Sequence, residues 1–360
     1  SQDKSGGRER ELEKLLSRSD DFEELLNIAR RYHREEAFRI GYQLLRRQIG
    51  SLDAGRAYAD LADACVVGLA KVAEREVLGR YEGTIGKWVV CALGKFGGRE
   101  LSPTSDLDLM LVYEAEEGGG QLAARFVQRL VAALSAPTEE GALYEVDMQL
   151  RPSGKAGPVA VKFSSFEKYY EGDAWTWEFM ALTRLRPVAG DPDLISRIRD
   201  VRGRAIAAKA ADDGVTADVV DMRERLLRER PASSHWDLKL WNGGLIDIEF
   251  IVQHELLKAG DLLSSGETQA TRGAIDALLE AGRLTEQEGR TLGNALDLYL
   301  DLQQALRIAA GDGFSPDDAS PGLKAWLARV MKLPDFAAVD AALVEAQTEV
   351  AAIRAARLGL

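Results

Sequence analysis

Between Trp88 and Arg151 the hydrophobic pattern leaves the helical period that governs the rest of this 360-residue chain. Trp88-Val89-Val90-Cys91-Ala92-Leu93 is a short apolar run that stops at Gly94, as a buried strand does. Residues 106–113, DLDLMLVY, form a second run whose acidic residues stand only at its front. Tyr144 to Arg151 alternates strictly and reads as a third strand, with Val146, Met148 and Leu150 on one face and Glu145, Asp147, Gln149 and Arg151 on the other. Between the last two runs, Leu122, Phe126, Leu130 and Leu134 keep helical spacing. Strands this few and short make a small sheet that needs helices to cover it.

The flanks supply those helices. Residues 1–80 contain no proline, and Asp20 and Asp21 precede Phe22, Leu25, Leu26 and Ile28, a start signal followed by apolar recurrence. Apolar repeats follow at Ala37, Ile40, Leu44 and Leu45, then at Leu61, Cys65 and Leu69. From 191 onward the helical period returns. Thr285 and Glu288 have the spacing of a capping box ahead of Leu292, Leu296, Tyr299, Leu300 and Leu306. The segment GDGFSPDDASPG, starting at Gly311, separates that helix from a last helical region. The expected architecture is α+β in three parts: a helical lead-in (1–80), a mixed α/β unit (81–190) and a C-terminal helical domain (191–360).

Composition removes several functions. Lys and Arg number 46 against 58 Asp and Glu, a net charge of −12, which disfavours gripping nucleic acid through its phosphates. No apolar run approaches the roughly 18 residues of a membrane span. Two cysteines, Cys65 and Cys91, lie in apolar contexts and read as reduced core residues of a cytoplasmic protein. Three histidines (His33, His235 and His254) leave little for zinc hydrolysis or Ser-His-Asp chemistry, so catalysis should rest on carboxylates. The polar start SQDKSGGRERELEK has no apolar signal region and reads as the cut end of a longer polypeptide.

Asp106 and Asp108 are two residues apart on a strand, so their carboxylates lie side by side. Adjacent anions repel unless a cation or proton lies between them. Mg²⁺, which takes a few carboxylate oxygens together with substrate phosphates, suits the pair, and a solvated strand end is the plainer alternative. Gly94-Lys95-Phe96-Gly97-Gly98-Arg99-Glu100 directly follows the first strand; its glycines permit close backbone approach, and Lys95 and Arg99 bring cations. It is not a Walker motif. Ser105 adds a hydroxyl before the acidic pair. Asp147 meets the pair if the strands are neighbours, and three carboxylates with two Mg²⁺ ions would make a two-metal phosphoryl-transfer site. Arg151, Lys155 and the turn Pro152-Ser153-Gly154 could cradle phosphates.

The stretch ALGKFGGRELSPTSDLDLMLVYE resembles the signature of polymerase-β-type nucleotidyltransferases, and more closely that of glutamine synthetase adenylyltransferases. Three further blocks agree in order and spacing: YEVDMQLRPSGKAG, AWTWEFMALTRLRPVAGD and WDLKLWNGGLIDIEFIVQ. The resemblance implies a polymerase-β-type core that uses ATP and Mg²⁺, with Asp106 and Asp108 as the metal pair and Asp147 as the third acid. It sets Gly97, Gly98 and Ser105 around the nucleotide phosphates and offers Lys239, Asp247 and Glu249 as further polar residues near the active face. It also implies glutamine synthetase as protein substrate, a PII-type signal protein as regulator and a place in the control of nitrogen assimilation. The family's bifunctional enzyme has two homologous halves, one removing AMP and one attaching it. One such unit is present here, and LRPSG and AWTWE, in place of LRPEG and a GRTWE-like block, resemble the adenylylating half. Leu93, where Met is usual, and Trp241-Asn242 before the glycine pair depart from the pattern and bear on fine substrate contacts.

Other features have plainer readings. Gly243-Gly244 before an apolar run looks like a helix start, where Asp247 and Glu249 would favour the dipole. Trp175 and Trp177 are expected to pack against the sheet, and His254 to be a surface or satisfied histidine. Arg223, Arg225 and Arg228 are expected on a solvated, salt-bridged helix face.

Overall fold

The computed structural model describes residues 2–116, 118–260, 268–309 and 314–359. These divide into two compact units, residues 1–46 with 53–205 and residues 47–52 with 206–360. The lead-in therefore clusters with the sheet, and the second unit takes over at Ile206, inside a helix.

Three helices open the chain: α1 (Gln2–Leu16), α2 (Phe22–Leu45) and α3 (Ser51–Arg80). Asp21 starts α2 as the sequence signals, its carboxylate accepting from the Glu24 amide at 2.9 Å. Arg30 on α2 is 2% exposed and donates to the carbonyls of Leu26, Ala133, Ala136 and Gly141. Two of those acceptors end α5 (Gly119–Ser135), so a cation satisfies carbonyls that the helix itself leaves open. Leu122, Phe126, Leu130 and Leu134 of α5 are buried, as their spacing predicts.

The sheet grows from β1 (Lys87–Ala92) and β2 (Leu107–Glu114), which pair antiparallel from Lys87–Glu114 to Ala92–Leu109. Val89, Val90, Cys91 and Ala92 are at most 1% exposed, and burying a valine contributes about 1.5–3 kcal/mol. Two short strands lie along the other edge of β2, both parallel to it: β3 (Val146–Asp147) and β4 (Ala160–Lys162). β5 (Arg186–Gly190) completes the sheet on the far side of β1. The short helices α6 (Phe163–Lys168) and α7 (Thr176–Thr183) lie between β4 and β5, and α8 (Pro192–Lys209) follows.

The third strand is much shorter than the alternation over 144–151 predicts. Asp147 Oδ1 accepts the backbone N–H of Gln149 at 2.7 Å, which takes that donor away from any ladder and turns the chain outward. Residues 148–159 then form an excursion before β4 rejoins the same edge of β2.

The second unit is helical: α9 (Val215–Glu229), α10 (Leu245–Ala259), α11 (Thr271–Glu280), α12 (Glu286–Ala309), α13 (Pro321–Met331) and α14 (Phe336–Leu358). Thr285 and Glu288 make the expected capping box, each side chain taking the other's backbone N–H at 3.2 and 2.8 Å. Gly244 precedes α10, as the glycine pair suggests. Gly243 has φ +81°, and a Cβ there would stand 1.8 Å from the Gln347 carbonyl, so only glycine fits. Gly311 lies outside the described residues. Both cysteines are fully buried and free, and burial pushes each thiol up to about 12.

Candidate active site

Four chain segments meet at the front of β2. The Leu107 N–H donates to the Glu145 carbonyl on the β3 side, while the Leu93 N–H donates to the Asp108 carbonyl on the β1 side, both at 2.9 Å. Leu107 pairs with Val146 and Asp108 with Asp147 in parallel register. Paired residues on neighbouring strands project to the same face, so Asp108 and Asp147 share one, and Asp106, two residues earlier in the chain, is their neighbour. Asp106 is exposed, and Asp108 and Asp147 are half-buried.

The carboxylates do not converge as they stand. Asp147 turns back on its own loop, accepting from the Gln149 N–H and from Gln149 Nε2 at 3.1 Å. Among the described residues, no three His, Cys, Asp or Glu side chains are grouped to hold a metal ion. In chemistry the donor set fits Mg²⁺: the three carboxylates offer hard oxygens, and strand register sets residue Asp108 beside Asp147.

The glycine-rich turn is a four-residue helix, α4 (Gly94–Gly97), against this face. Gly94 has φ +50°, and a Cβ there would meet the Asp108 carboxylate. A Cβ on Gly97 would stand 2.1 Å from the Arg184 carbonyl. The Gly97 and Gly98 N–H groups donate to the carbonyls of Leu93 and Gly94 at 2.7 and 3.1 Å. Both glycines thus shape the turn, with these two amides occupied within it. Lys95 lies half-buried in the same helix.

Ser105 does not present a free hydroxyl. It is 9% exposed, lies 2.8 Å from the Ser102 hydroxyl and accepts the Ser102 N–H at 2.9 Å. That closes the turn leading into β2.

Arg151 differs from the expectation that it meets phosphate. It is 7% exposed and donates to the carbonyls of Met148, Gly157 and Pro158 at 2.5, 3.1 and 3.0 Å. These acceptors stand at the two ends of the excursion, so Arg151 ties the loop closed from within. Lys155 lies exposed in the 3₁₀ turn Gly154–Ala156 at the tip of that loop.

Lys239, Asp247 and Glu249 belong to the second unit. Lys239 is exposed and Glu249 half-buried. Asp247 is wholly buried and accepts from Arg223 at 2.6 and 3.3 Å, Arg354 at 2.8 Å and the Gly243 N–H at 2.6 Å. This corrects the solvated reading of Arg223, which is 1% exposed; Arg225 and Arg228 on the same helix are exposed. His254 is buried, with Nε2 2.9 Å from the Thr216 hydroxyl and Nδ1 3.4 Å from a Glu255 carboxylate oxygen.

The tryptophans overturn their expectation. Trp175 is 71% and Trp177 36% exposed, because Trp175 is the residue before α7 and its backbone, not its ring, is held. Thr176 and Glu178 of that block are buried, and Glu178 accepts from the Trp175 N–H at 2.8 Å and from Tyr169 Oη at 2.7 Å.

Comparison with known proteins shows the family. The sequence model of the family described as glutamate-ammonia ligase adenylyltransferase matches residues 3–200, which include β1 to β5. The chain belongs to that family. Residues 215–356 match a second family, described as GlnD PII-uridylyltransferase. Three relatives from the adenylyltransferase family are each named a bifunctional glutamine synthetase adenylyltransferase/adenylyl-removing enzyme. The Caulobacter vibrioides protein is 42% identical over 343 residues, 92% of this chain and 34% of its own length. The Brucella suis protein is 40% identical over 362 residues, 94% and 35%. The Xanthobacter autotrophicus protein is 37% identical over 359 residues, 95% and 36%. The chain thus spans about one third of the length of these adenylyltransferase relatives. Among the described residues, no helix is long and apolar enough to cross a membrane.

Two site features escaped the sequence reading. Asp63, in the alanine-rich run ADLADA of α3, carries no local mark of its role, and Arg186 opens the short strand RPVAG. They form a bidentate pair at 2.9 and 3.0 Å beneath the glycine-rich turn.

Proposed function

We propose that this chain transfers AMP from ATP to a tyrosine hydroxyl of glutamine synthetase, releasing pyrophosphate. The register pairing of Asp108 with Asp147, with Asp106 just upstream, carries the reading, since it gives a nucleotidyltransferase its acidic face. Family membership supports the reaction class, and the relatives' printed names support glutamine synthetase as the target.

Asp106, Asp108 and Asp147 would hold Mg²⁺, with two ions the number expected of such a site; the ions would neutralise the triphosphate and lower the barrier to deprotonating the tyrosine. The tyrosine oxygen forms a bond to the α-phosphorus as the bond to the pyrophosphate oxygen breaks. Asp147, once released from its two bonds to Gln149, would accept the hydroxyl proton. The Gly94–Gly98 turn sets the triphosphate against β2. Lys155 meets phosphate from the tip of a loop whose shape Arg151 maintains.

The helical second unit would receive PII-type signals, a role supported by its match to the PII-uridylyltransferase family. The relatives' names also include adenylyl removal, which gives a second reading: phosphorolysis of AMP-tyrosine to ADP by the same acidic face. The motif forms LRPSG and AWTWE favour attachment.

The test incubates the purified chain with glutamine synthetase, Mg²⁺ and ATP labelled on the α-phosphate. Label on one tyrosine of the target, lost with Asp106→Asn/Asp108→Asn, is the expected result. Release of ADP from modified target on adding phosphate, without label transfer, would establish the second reading. Full labelling by the double variant would overturn the role given to Asp106 and Asp108.

A further inference from the structure

The glycine-rich turn is held by ion pairs from the lead-in helices. Asp63 on α3 is 4% exposed and grips Arg186 of β5 with both oxygens. Arg186 in turn donates to the Phe96 carbonyl at 3.1 Å and the Gly97 carbonyl at 3.3 Å, and its guanidinium lies 5.2 Å from the Phe96 ring. One turn earlier on α3, Asp60 pairs with Arg99, the residue that ends the turn with φ +57°. Arg99 also reaches Asp63 at 3.3 Å. Gly55 of α3 brings the helix against the same segment, where a Cβ would meet the carbonyls of Leu101 and Arg99 at 3.4 and 3.5 Å. The chain of charges extends outward: Arg8 of α1 lies 3.8 Å from Asp60 and 3.1 Å from Glu36 of α2.

Buried carboxylates are costly unless paired, so these groups hold one geometry or lose their partners together. A non-glycine residue at positive φ likewise persists only where its surroundings fix it. We propose that Asp63 and Asp60, acting through Arg186 and Arg99, are positioning residues that hold the Gly94–Glu100 turn in its nucleotide-binding shape. The lead-in helices α1 to α3 thereby set the affinity for ATP. The inference rests on the adenylyltransferase reading of the site, which supplies the nucleotide.

The experiment uses the full chain with Asp63→Asn, Arg99→Gln and Arg99→Lys. Hydrogen exchange without nucleotide reads the turn, and calorimetric titration with Mg²⁺ and ATP reads its use. Asp63→Asn and Arg99→Gln should raise exchange at the Gly97 to Glu100 amides about tenfold, leave β1 and β2 protected, and weaken ATP binding about tenfold; Arg99→Lys should restore most of both. Arg99→Gln keeps the test valid if Asp63→Asn fails to fold, because Arg99 is one-third exposed at its side chain. Unchanged exchange, or raised exchange with wild-type ATP affinity, would overturn the positioning role. Wild-type chain that binds no ATP while the variants loosen the turn would instead overturn the adenylyltransferase reading and leave the mechanical link standing.

Discussion

A Cβ added to Gly94 would stand 2.1 Å from Oδ2 of Asp108 and 2.9 Å from its Cγ. The turn and the strand that carries Asp108 are therefore fitted to one another at a distance only glycine permits. The same glycine has φ +50°, where an L-residue is strained. Gly94→Ala should cost about 1–3 kcal/mol of stability from the backbone alone and displace the Asp108 carboxylate. Chemical denaturation checks the first, and an ATP affinity at least tenfold weaker in titration checks the second.

Asp106 is exposed and Asp108 half-buried at the front of β2, and asparagine keeps the shape of each side chain, so removing their charge should spare the fold. Asp106→Asn and Asp108→Asn are expected to reduce AMP transfer by about 10³-fold or more, the scale of losing a transition-state charge contact. Circular dichroism and melting temperature should remain close to wild type. A collapse in stability would assign the pair a structural role.

Asp247 is a buried anion between two buried guanidiniums. Asp247→Ala strands Arg223 and Arg354 without a counter-charge and should destabilise the protein by about 3–5 kcal/mol. Replacing all three residues with leucine should cost much less, because no unpaired charge is left behind. Urea unfolding of both variants distinguishes an ion-pair hub from an ordinary packing site.

Acid should weaken the protein in two steps. Burial beside Tyr144, whose ring lies 4.7 Å away, lowers the pKa of His33 to about 4. The unfolded chain takes up that proton near pH 6.5, so His33 contributes stability above that pH and loses it as pH falls toward 4, on the order of 2 kcal/mol. Glu288 is held at about 2, chiefly by hydrogen bonds from Arg357 at 2.6 and 2.9 Å. Its contribution is complete above the ordinary glutamate range and fades as pH falls from there toward 2. In melting curves against pH, His33→Gln should flatten the upper step alone and Glu288→Gln the lower step alone.

The sheet's two long strands were legible because each carries its own apolar run and Gly94 ends the first. The register of Asp108 beside Asp147 was legible to the extent that both fall in segments that read as strands. What misled the reading were competitions decided elsewhere. Strict alternation at 144–151 lost to one side-chain bond from Asp147 to the Gln149 N–H. Arg223 looks like its exposed neighbours Arg225 and Arg228 until Asp247, 24 residues on, captures it. Trp175 has the apolarity of a core residue but falls at a helix start, where its ring points outward. β4 and β5 are too short, and β5 too rich in Pro and Gly, for a period to register. The partnership of Asp63 with Arg186 spans 123 residues and has no local signature.

The central claim, that acidic side chains from β2 and β3 hold divalent ions against a nucleotide, is tested most directly by crystals grown with Mn²⁺ and a non-transferable ATP analogue. Anomalous scattering should place manganese among the carboxylates of Asp106, Asp108 and Asp147, with Asp147 released from Gln149 and the triphosphate lying along Gly94–Gly98. Nucleotide bound on another face, with no manganese beside Asp106 and Asp108, would contradict the account.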